Sequence, residues 1–430
     1  MKRKVFLFLG LLLSSINILA QTALKDGVYY IQNVASGDFI STGAMWGTHS
    51  VLSPHGLDIK VTNSNGAYTL TTQIQGVDKA LRPSDGYMDQ SGTWTIEPQF
   101  DGTYTMFNGT NYFGYSASNE SPWIPLLTFT NSNGQNTHWR FLTKEDLTAT
   151  LENATIDNPV DATFFIKAPD IVTGDYRITG LKVWGDDAPV IGGNFSSTST
   201  LRNNANGEKF NLASFNITQK LTGIPNGIYS LSVQGYYRYG SNENASAAHN
   251  NSTERRLPYL YAGDKKVPLP SIFSEATKTA SGGWATSTAA GYVPNSQSEA
   301  AECFNDGKSY LTTITDIVVV DGTLTIGIAK NTRTVDSDWT CFDNFTLMYY
   351  GSDLGAIKEM VLSEIDGYAS KNTTGDEDFS NAIAQQRQAA TDAMTESDVL
   401  AALDAVKKAY SIYQTKPEPT DTPLDFTGTV

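Results

Sequence analysis

Aromatic side chains close to polar ones are the residues of this sequence best suited to bind a ligand. A sugar ring presents an apolar C–H face and a rim of hydroxyl groups, so its binding site needs an exposed aromatic ring beside a few polar side chains. Trp184 is followed closely by Asp186 and Asp187, and Trp284 lies in a glycine-rich stretch. Their surroundings are typical of loops, where binding residues concentrate. We therefore predict that Trp184, Asp186 and Trp284 contact a carbohydrate.

Further aromatic candidates lie on a predicted strand. Because side chains alternate along a strand, Tyr237 and Tyr239 share one face, while Tyr236 and Arg238 share the other. We predict that Tyr237 and Tyr239 also contact the sugar. For each of these residues, and for Trp339, packing inside a β-rich core is the alternative interpretation.

The carboxylates and histidines form no recognisable catalytic motif. Glycoside hydrolysis uses two carboxylates about 5 to 10 Å apart, whereas adjacent carboxylates such as Asp186 and Asp187 are typical of solvated side chains or cation ligands. The four histidines lack metal-site spacing, and the sequence has no Gly-x-Ser-x-Gly, phosphate-binding glycine motif or Cys-x-x-Cys. We expect these residues to contain no catalytic site.

Composition narrows the class of partner and the class of fold. The 30 basic and 45 acidic residues give a net charge of −15, which repels phosphate backbones and anionic lipid surfaces. We therefore expect no nucleic-acid partner. An aromatic content of 11%, with 36 glycines, favours short strands joined by turns, and the length favours two or three domains.

The first twenty residues predict export. Lys2, Arg3 and Lys4 precede an apolar run that ends at Leu13, and a polar stretch then leads to Ala20. This order is typical of a cleaved signal peptide. No later run of apolar residues is long enough to span a bilayer. We predict a protein that is secreted or held at the cell surface, without membrane insertion.

Two cysteines are too few for a disulfide framework. Export would permit one bridge between Cys303 and Cys341. Two separate, half-buried thiols are the other interpretation, because the sequence does not give the distance between the two Cα atoms.

The first domain is predicted from an internal repeat. A turn followed by Tyr, one residue and an aliphatic residue recurs three times, with turn glycines Gly27, Gly66 and Gly102 spaced by 39 and 36 residues. Each unit closes on an alternating apolar pair: Ile59 with Val61, Trp94 with Ile96, and Trp139 with Phe141. Units this short must pool one core around a pseudo-threefold axis.

These three units, with the closing segment 136–141, resemble the ricin-type β-trefoil lectins over residues 22–144. The resemblance implies a β-trefoil. In those lectins each sugar-binding repeat carries an Asp after the turn of its second strand; the matching positions here hold Ser41, Arg82 and Gly114. This module therefore departs from the lectin pattern. Three aromatic residues in loops are the predicted sugar contacts of this module: Trp46, Tyr115 and Trp123.

Residues 158–351 predict a second β module. Alternating strands are evident at 227–236, 322–329 and 339–347. Segment 221–229, Arg238 and the closing segment 342–345 resemble the galactose-binding-like jelly-roll modules, a class of carbohydrate-binding module, found in secreted glycan-targeting proteins of gut bacteria. The resemblance implies a β-sandwich that binds carbohydrate. It also implies that Asp343 helps to hold a structural Ca²⁺. The alternative is that Asp343 only caps a turn or bonds backbone N–H groups.

The remaining residues predict helices and a linker. Apolar residues recur at helical spacing across residues 353–414 in three stripes: Leu354, Ile357, Val361, Ile365 and Tyr368; Phe379, Ile383, Ala390 and Met394; Val399, Leu403, Val406, Tyr410 and Tyr413. Thr395 and Asp398 form a capping box before the third helix. We predict a three-helix bundle that acts as a spacer or docks a protein partner. In the linker segment 415–430, residues 422–427 parallel residues 158–163, which indicates the start of a second sandwich module.

Together these observations predict a mainly β, multi-domain chain: a β-trefoil, a jelly-roll β-sandwich and a small three-helix bundle. The predicted function is non-catalytic recognition of a glycan, with the sandwich as the main binding module. Two alternatives stay open. The chain could be the targeting region of a glycoside hydrolase whose catalytic domain lies beyond Val430, or it could be a structural or adhesion protein that binds a protein partner.

Overall fold

The computed structural model contains two β modules followed by three helices. This agrees with the predicted fold class. The structure describes residues 22–44, 48–74, 77–89, 91–121, 124–167, 169–170, 190–192, 206–211, 214–275, 284–285, 292–305, 309–333 and 335–416. Within these ranges, no helix combines the length and apolar character needed to cross a membrane.

The first module is a β-trefoil. Its described strands are β1 (Gly27–Asn33), β2 (Phe39–Ala44), β3 (His49–Ser53), β4 (Ile59–Ser64), β5 (Ala67–Ile74), β6 (Val77–Ala80), β7 (Thr95–Pro98), β8 (Tyr104–Phe107), β9 (Tyr112–Ser121), β10 (Ile124–Thr130) and β11 (His138–Leu142). Strands β1, β4, β5, β7, β8 and β11 close a barrel, in which a bridge between Tyr68 and Trp94 joins β5 to the residue before β7. Hairpins β2–β3 and β9–β10 cap one end of the barrel, together with β6 and the segment after it, in which Leu81 bridges to Met88.

The repeat is visible in the trefoil core. All six residues of the three apolar pairs are buried, as the alternation predicts. Trp94 and Trp139 occupy matching places, since each indole N–H donates to a backbone carbonyl of its own unit, Leu81 at 2.8 Å and Phe113 at 3.0 Å. The three units therefore share one core.

The second module is a two-sheet sandwich. Its described strands are β12 (Val160–Asp161), β13 (Val190–Gly192), β14 (Asn206–Phe210), β15 (Phe215–Thr222), β16 (Gly227–Arg238), β17 (Tyr259–Ala262), β18 (Lys265–Pro268), β19 (Trp284–Ala285), β20 (Tyr292–Val293), β21 (Leu311–Val319), β22 (Thr323–Lys330) and β23 (Trp339–Tyr349). One sheet has the order β13-β14-β23-β16-β21, with β12 beside β23, and the facing sheet has the order β15-β22-β17-β18. Leu231, Ile328 and Leu347 belong to the apolar core between them.

Helices flank and follow the sandwich. They are α1 (Lys144–Thr150), α2 (Asn242–Asn250), α3 (Gln297–Asn305), α4 (Leu354–Ala369), α5 (Glu377–Asp392) and α6 (Glu396–Thr415). Helices α4 to α6 share one core, which also contains Ile228 and Val318 of the sandwich. The backbone N–H of Asp398 donates to the Thr395 side chain, which is one of the two bonds of the predicted capping box, and Thr395 Oγ1 donates to Asp398 Oδ2 at 2.7 Å. Met394 does not join the second stripe: α5 ends at Asp392, and the Met394 side chain is 82% exposed.

Both cysteines are buried thiols in one apolar cluster between α3 and β23. Burial raises the pKa of the Cys341 thiol well above its ordinary value. Because the thiolate is the reactive form of cysteine, this environment favours an inert, structural role for Cys341.

The trefoil and the sandwich contact each other through His55. Its Nδ1 lies 3.0 Å from Asp170 Oδ1, and its Nε2 lies 3.8 Å from Asp161 Oδ2. Ser53 Oγ donates to the second oxygen of Asp170 at 3.1 Å. One trefoil loop thus binds a nearly buried carboxylate of the following module.

Replacing His55 with alanine should loosen this contact between the modules. The change removes one partner of a buried carboxylate, which typically costs about 1 to 3 kcal/mol. We expect a lower free energy of unfolding in urea and a larger radius of gyration in small-angle X-ray scattering. His138→Ala is the control, because His138 contacts Asp101 within the trefoil. Unchanged stability and scattering of the His55 variant would contradict this account.

Candidate functional site

The structure describes only some of the predicted sugar contacts. Trp46, Trp123, Trp184 and Asp186 lie outside the described residues. Trp284 begins β19, where it pairs with Val293. These residues therefore stay predictions.

Tyr115, the third aromatic residue predicted for the trefoil, is partly buried on β9. It packs against the trefoil core, and its backbone carbonyl accepts a hydrogen bond from the Asn136 side chain at 3.0 Å. Part of the Tyr115 ring therefore packs against the core instead of facing a ligand.

Tyr237 has to be removed from the candidate residues. Its side chain is fully buried, and its hydroxyl donates to Asp338 Oδ2 at 2.7 Å. The ring lies near Lys330 of the facing sheet, so this face of β16 points into the sandwich. A ring without exposed surface cannot stack on a sugar. Tyr239 is partly exposed, and its ring centroid is 6.3 Å from that of Tyr237.

Asp343, the predicted calcium ligand, is buried in β23. Its Oδ1 accepts a hydrogen bond from the backbone N–H of Asn344 at 2.8 Å, which is the bonding pattern of the alternative interpretation. Across the described ranges, no three His, Cys, Asp or Glu side chains are grouped to hold a metal ion. Calcium binding stays a prediction.

The best described candidate site lies on the outer face of the sandwich, at one end of three neighbouring strands. Phe210 of β14 pairs with Trp339 of β23, which in turn pairs with Arg238 of β16. Residues paired across antiparallel strands project from the same face. Glu208, two residues before Phe210, shares this face. We call Glu208, Phe210, Arg238, Trp339, Asn242 and Asn295 the Phe210 face.

Phe210 is the exposed ring of the Phe210 face. Its side chain is 52% exposed, although phenylalanine usually avoids water. The neighbouring Trp339 is buried, and its indole N–H donates to Glu208 Oε2 at 2.6 Å. Phe210 therefore belongs to the sheet, where its backbone pairs with that of Trp339, rather than to a loop.

Glu208 supplies a carboxylate beside the exposed ring. Burial raises the pKa of Glu208, while the Trp339 hydrogen bond and the positive charge of Arg238 act in the opposite direction. A partly buried carboxylate is a strong hydrogen-bond acceptor that is available to a hydroxyl group.

Arg238 lies between the Trp339 ring and two amide side chains. Its guanidinium lies 5.3 Å from the centre of the Trp339 ring, and it donates to Asn242 Oδ1 at 2.6 Å and to Asn295 Oδ1 at 3.4 Å. Asn242 also donates to Asn295 at 2.9 Å. Asn295 is exposed and Asn242 partly exposed, so both amides can exchange hydrogen bonds with a ligand's hydroxyl groups.

The trefoil carries a second exposed ring. Phe100, in the turn between β7 and β8, is 93% exposed. Next to it, Asp101 accepts hydrogen bonds from Thr103, and His138 contacts both Thr103 Oγ1 at 3.1 Å and Asn133 Oδ1 at 2.9 Å. This smaller group again combines a ring with fixed polar side chains.

Neither Phe210 nor Phe100 was among the predicted residues. For Phe100 a signal was available, because an aromatic residue stands in the turn Gln99-Phe100-Asp101-Gly102, where polar residues are usual. Phe210 offers no such signal. Apart from Glu208 on the same strand, the residues of the Phe210 face come from other strands and loops, and Trp339 is 131 positions away from Glu208.

The three positions that match the lectins' Asp are explained by local contacts. Ser41 is buried opposite Val51. Arg82 makes two hydrogen bonds to Asp85 and lies over the Tyr87 ring. At Gly114 a Cβ atom would lie 2.6 Å from the Asn136 carbonyl oxygen. None of the three trefoil units offers the carboxylate of the lectin pattern at this place.

Comparison with known proteins adds little to this geometry. No family model matches the chain, and no curated protein matches it. Among solved structures, a designed three-fold symmetric protein, ThreeFoil, is 18% identical, with a TM-score of 0.23, and the match covers 27% of this chain and 99% of that one. TmCBM61 in complex with β-1,4-galactotriose is 12% identical, with a TM-score of 0.23, and the match covers 43% of this chain and 97% of that one.

Proposed function

We propose that this chain is a non-catalytic carbohydrate-binding protein whose sandwich contacts a glycan through the Phe210 face. The observation that carries the proposal is an exposed aromatic ring on the same sheet face as the Glu208 carboxylate and as the Arg238 guanidinium, which bonds two amides. An apolar ring face can stack on Phe210, while sugar hydroxyls exchange hydrogen bonds with Glu208, Asn242 and Asn295.

The charge of the protein favours a neutral glycan over a polyanionic one. Fifteen excess negative charges raise the cost of bringing sulfated or uronic polymers to the surface. Neutral sugars bind through stacking and hydrogen bonds, which do not depend on net charge. Export through residues 1–20 belongs to the same proposal, because it would bring the modules to extracellular glycans.

A glycan array probed with the full chain tests this function. We expect binding to one class of neutral glycan, and Phe210→Ala should weaken that binding roughly tenfold or more, because the stacking surface is lost. Phe100→Ala, Trp184→Ala and Trp284→Ala should be probed in parallel to show whether the trefoil or the two predicted loops also contribute.

Leu311→Ala is the matched control. Leu311 is another exposed apolar side chain of the same sheet, on β21 rather than in the Phe210 face. Its removal should leave glycan binding unchanged. If no glycan binds the folded protein with Ca²⁺ present, or if Phe210→Ala and Leu311→Ala behave alike, the Phe210 face is not a sugar site. In the first case a scaffold or adhesion role would be favoured.

A further inference from the structure

The outer face of the second sheet of the sandwich carries two aromatic rings. In the sheet order β15-β22-β17-β18, Leu260 and Ala262 of β17 belong to the core, so Tyr259 and Tyr261 project to the opposite side. Both tyrosines are partly exposed. The Phe210 face is the outer face of the other sheet, so the two faces lie on opposite sides of the sandwich.

A glycine lets the Tyr261 ring lie flat on this sheet. Tyr261 pairs with Gly327 of β22, which pairs in turn with Thr218 of β15. A Cβ atom at Gly327 would lie 2.7 Å from Tyr261 Oη and 2.8 Å from its Cζ, so the phenol end of the ring occupies the space of the missing side chain. The Tyr261 hydroxyl then donates to Asn216 Oδ1 of β15 at 2.7 Å. The ring is thus held across three strands, with one side on the sheet and the other side available to a ligand.

Tyr259 is held by a hydrogen bond of the same kind. Its hydroxyl donates to Asn331 Oδ1 at 3.2 Å, just after β22. The Tyr259 and Tyr261 ring centroids are 6.2 Å apart, and the ring planes meet at 58°. Because both rings are already fixed, a ligand that stacks on them does not have to pay for ordering two side chains.

This face is basic, although the chain as a whole is acidic. Lys266 is exposed beside Tyr261, with which it pairs across β17 and β18, and its Nζ lies 5.1 Å from the centre of the Tyr259 ring. Lys220 is exposed on β15, two residues after Thr218 and therefore on the same face. The four strands contain no Asp or Glu. We call Tyr259, Tyr261, Lys220 and Lys266 the Tyr261 face.

The carboxylates in the adjoining turns have partners of their own. Asp264, between β17 and β18, accepts a hydrogen bond from the Tyr368 hydroxyl. Asp321, before β22, accepts from the backbone N–H of Thr323 at 3.0 Å and from its hydroxyl at 2.9 Å. Within the described part of the chain, neither Lys220 nor Lys266 pairs with a carboxylate. Both ammonium groups are therefore available to an anionic ligand.

We propose that the Tyr261 face binds an acidic sugar of the uronic-acid class within a glycan. The two rings stack on the apolar side of the sugar, and the ammonium groups of Lys220 and Lys266 pair with its carboxylate. A single carboxylate brings far less repulsion from the acidic chain than a polyanion does. At physiological ionic strength exposed charges more than about 8 Å apart are largely screened, so the two nearby lysines outweigh the net charge.

Isothermal titration of the full chain with four methyl glycosides tests this site. Those of glucuronic and galacturonic acid are compared with those of glucose and galactose, so that each acid has its neutral counterpart. At pH 7 the sugar carboxylates are ionised and the lysines are protonated. We expect at least one uronate to bind roughly fivefold or more tightly than its counterpart, because two exposed ion pairs add to the stacking. Equal affinity within both pairs, or no binding of either uronate, would overturn the proposal.

Variants separate the contribution of charge from that of stacking. The double variant Lys220→Gln, Lys266→Gln should bind a uronate no more tightly than the neutral sugar, with an unchanged melting temperature because both side chains are exposed. Lys60→Gln is the matched control, since it removes an exposed lysine from strand β4 of the trefoil and should leave the preference intact. Tyr261→Ala should weaken binding of uronate and neutral sugar alike, roughly tenfold. A uronate preference that persists in the double variant would place the acidic sugar elsewhere.

This inference concerns another surface and another class of sugar than the Phe210 face. Phe210→Ala should therefore leave the uronate preference unchanged, and the double lysine variant should leave binding of the neutral glycan on the array unchanged. Either proposal can fail while the other stands.

Discussion

A protein with alanine in place of Asp338 is expected to lose about 3 to 5 kcal/mol of unfolding free energy. Asp338 is buried just before β23, where it pairs with the buried ammonium of Lys330 from the facing sheet. It also accepts a hydrogen bond from the Tyr237 hydroxyl at 2.7 Å. Removing the carboxylate leaves the buried Lys330 ammonium without a counter-charge. The free-energy cost of that unpaired charge is far larger than the net stabilisation that the ion pair provides.

Urea denaturation of matched variants measures this effect. Asp336→Ala removes an exposed carboxylate two positions away and should change stability by no more than about 0.5 kcal/mol. Adding Lys330→Met to the Asp338 variant should recover much of the loss, because the stranded charge is gone. A small loss in Asp338→Ala, or no recovery in the double variant, would mean that a stranded Lys330 charge does not control the stability of this region.

The same network bears on the proposed glycan site. Asp338 lies between Ser337, whose carbonyl accepts a hydrogen bond from Arg238 at 3.2 Å, and Trp339, which pairs with Phe210 across the sheet. Loss of the buried pair would therefore disturb the Phe210 face as well as the core. Reduced glycan binding by Asp338→Ala should for that reason be read only alongside its stability.

Much of the trefoil could be predicted from sequence because its signals are local. Strand alternation placed Ile59 with Val61 and Trp139 with Phe141 on buried faces, and the repeat of turn glycines indicated one shared core. These features depend on spacing within a few residues. Both features can be read within one unit, so the prediction did not require any contact between distant residues to be known.

Tyr237 shows where local reasoning stops. Alternation correctly separates Tyr236 from Tyr237, but both are fully buried. Tyr237 faces the second sheet, while Tyr236 lies in a cluster with Phe304 of α3. Because a helix covers the outer face of the strand here, both faces carry aromatic residues. The sequence contains no mark that distinguishes this strand from one with a solvent-exposed face.

The candidate sites could not be predicted for a related reason. Phe210 and buried phenylalanines are the same residue type, and exposure is decided by what packs above them. The partners of Arg238 include Asn295, 57 positions away. Such sites arise from tertiary packing, which residue spacing alone does not encode.

Introducing the lectins' carboxylate at Gly114 is expected to destabilise the trefoil by about 3 kcal/mol or more rather than to create a sugar site. Gly114 is buried in β9. A Cβ atom there would lie 2.6 Å from the Asn136 carbonyl oxygen and 2.7 Å from Thr137 Cγ2. Gly114→Asp would add to this overlap a buried carboxylate facing a carbonyl oxygen, and both effects disfavour the folded state.

Ser132→Asp provides the control, because it adds the same charge at an exposed position of the same unit. It should alter the free energy of unfolding in urea by no more than about 0.5 kcal/mol. If Gly114→Asp retained normal stability and gained galactose binding on the array, the departure from the lectin pattern would be a matter of function alone. Destabilisation without new binding would show instead that close packing between β9 and the segment before β11 excludes any side chain at this position, whatever the trefoil binds.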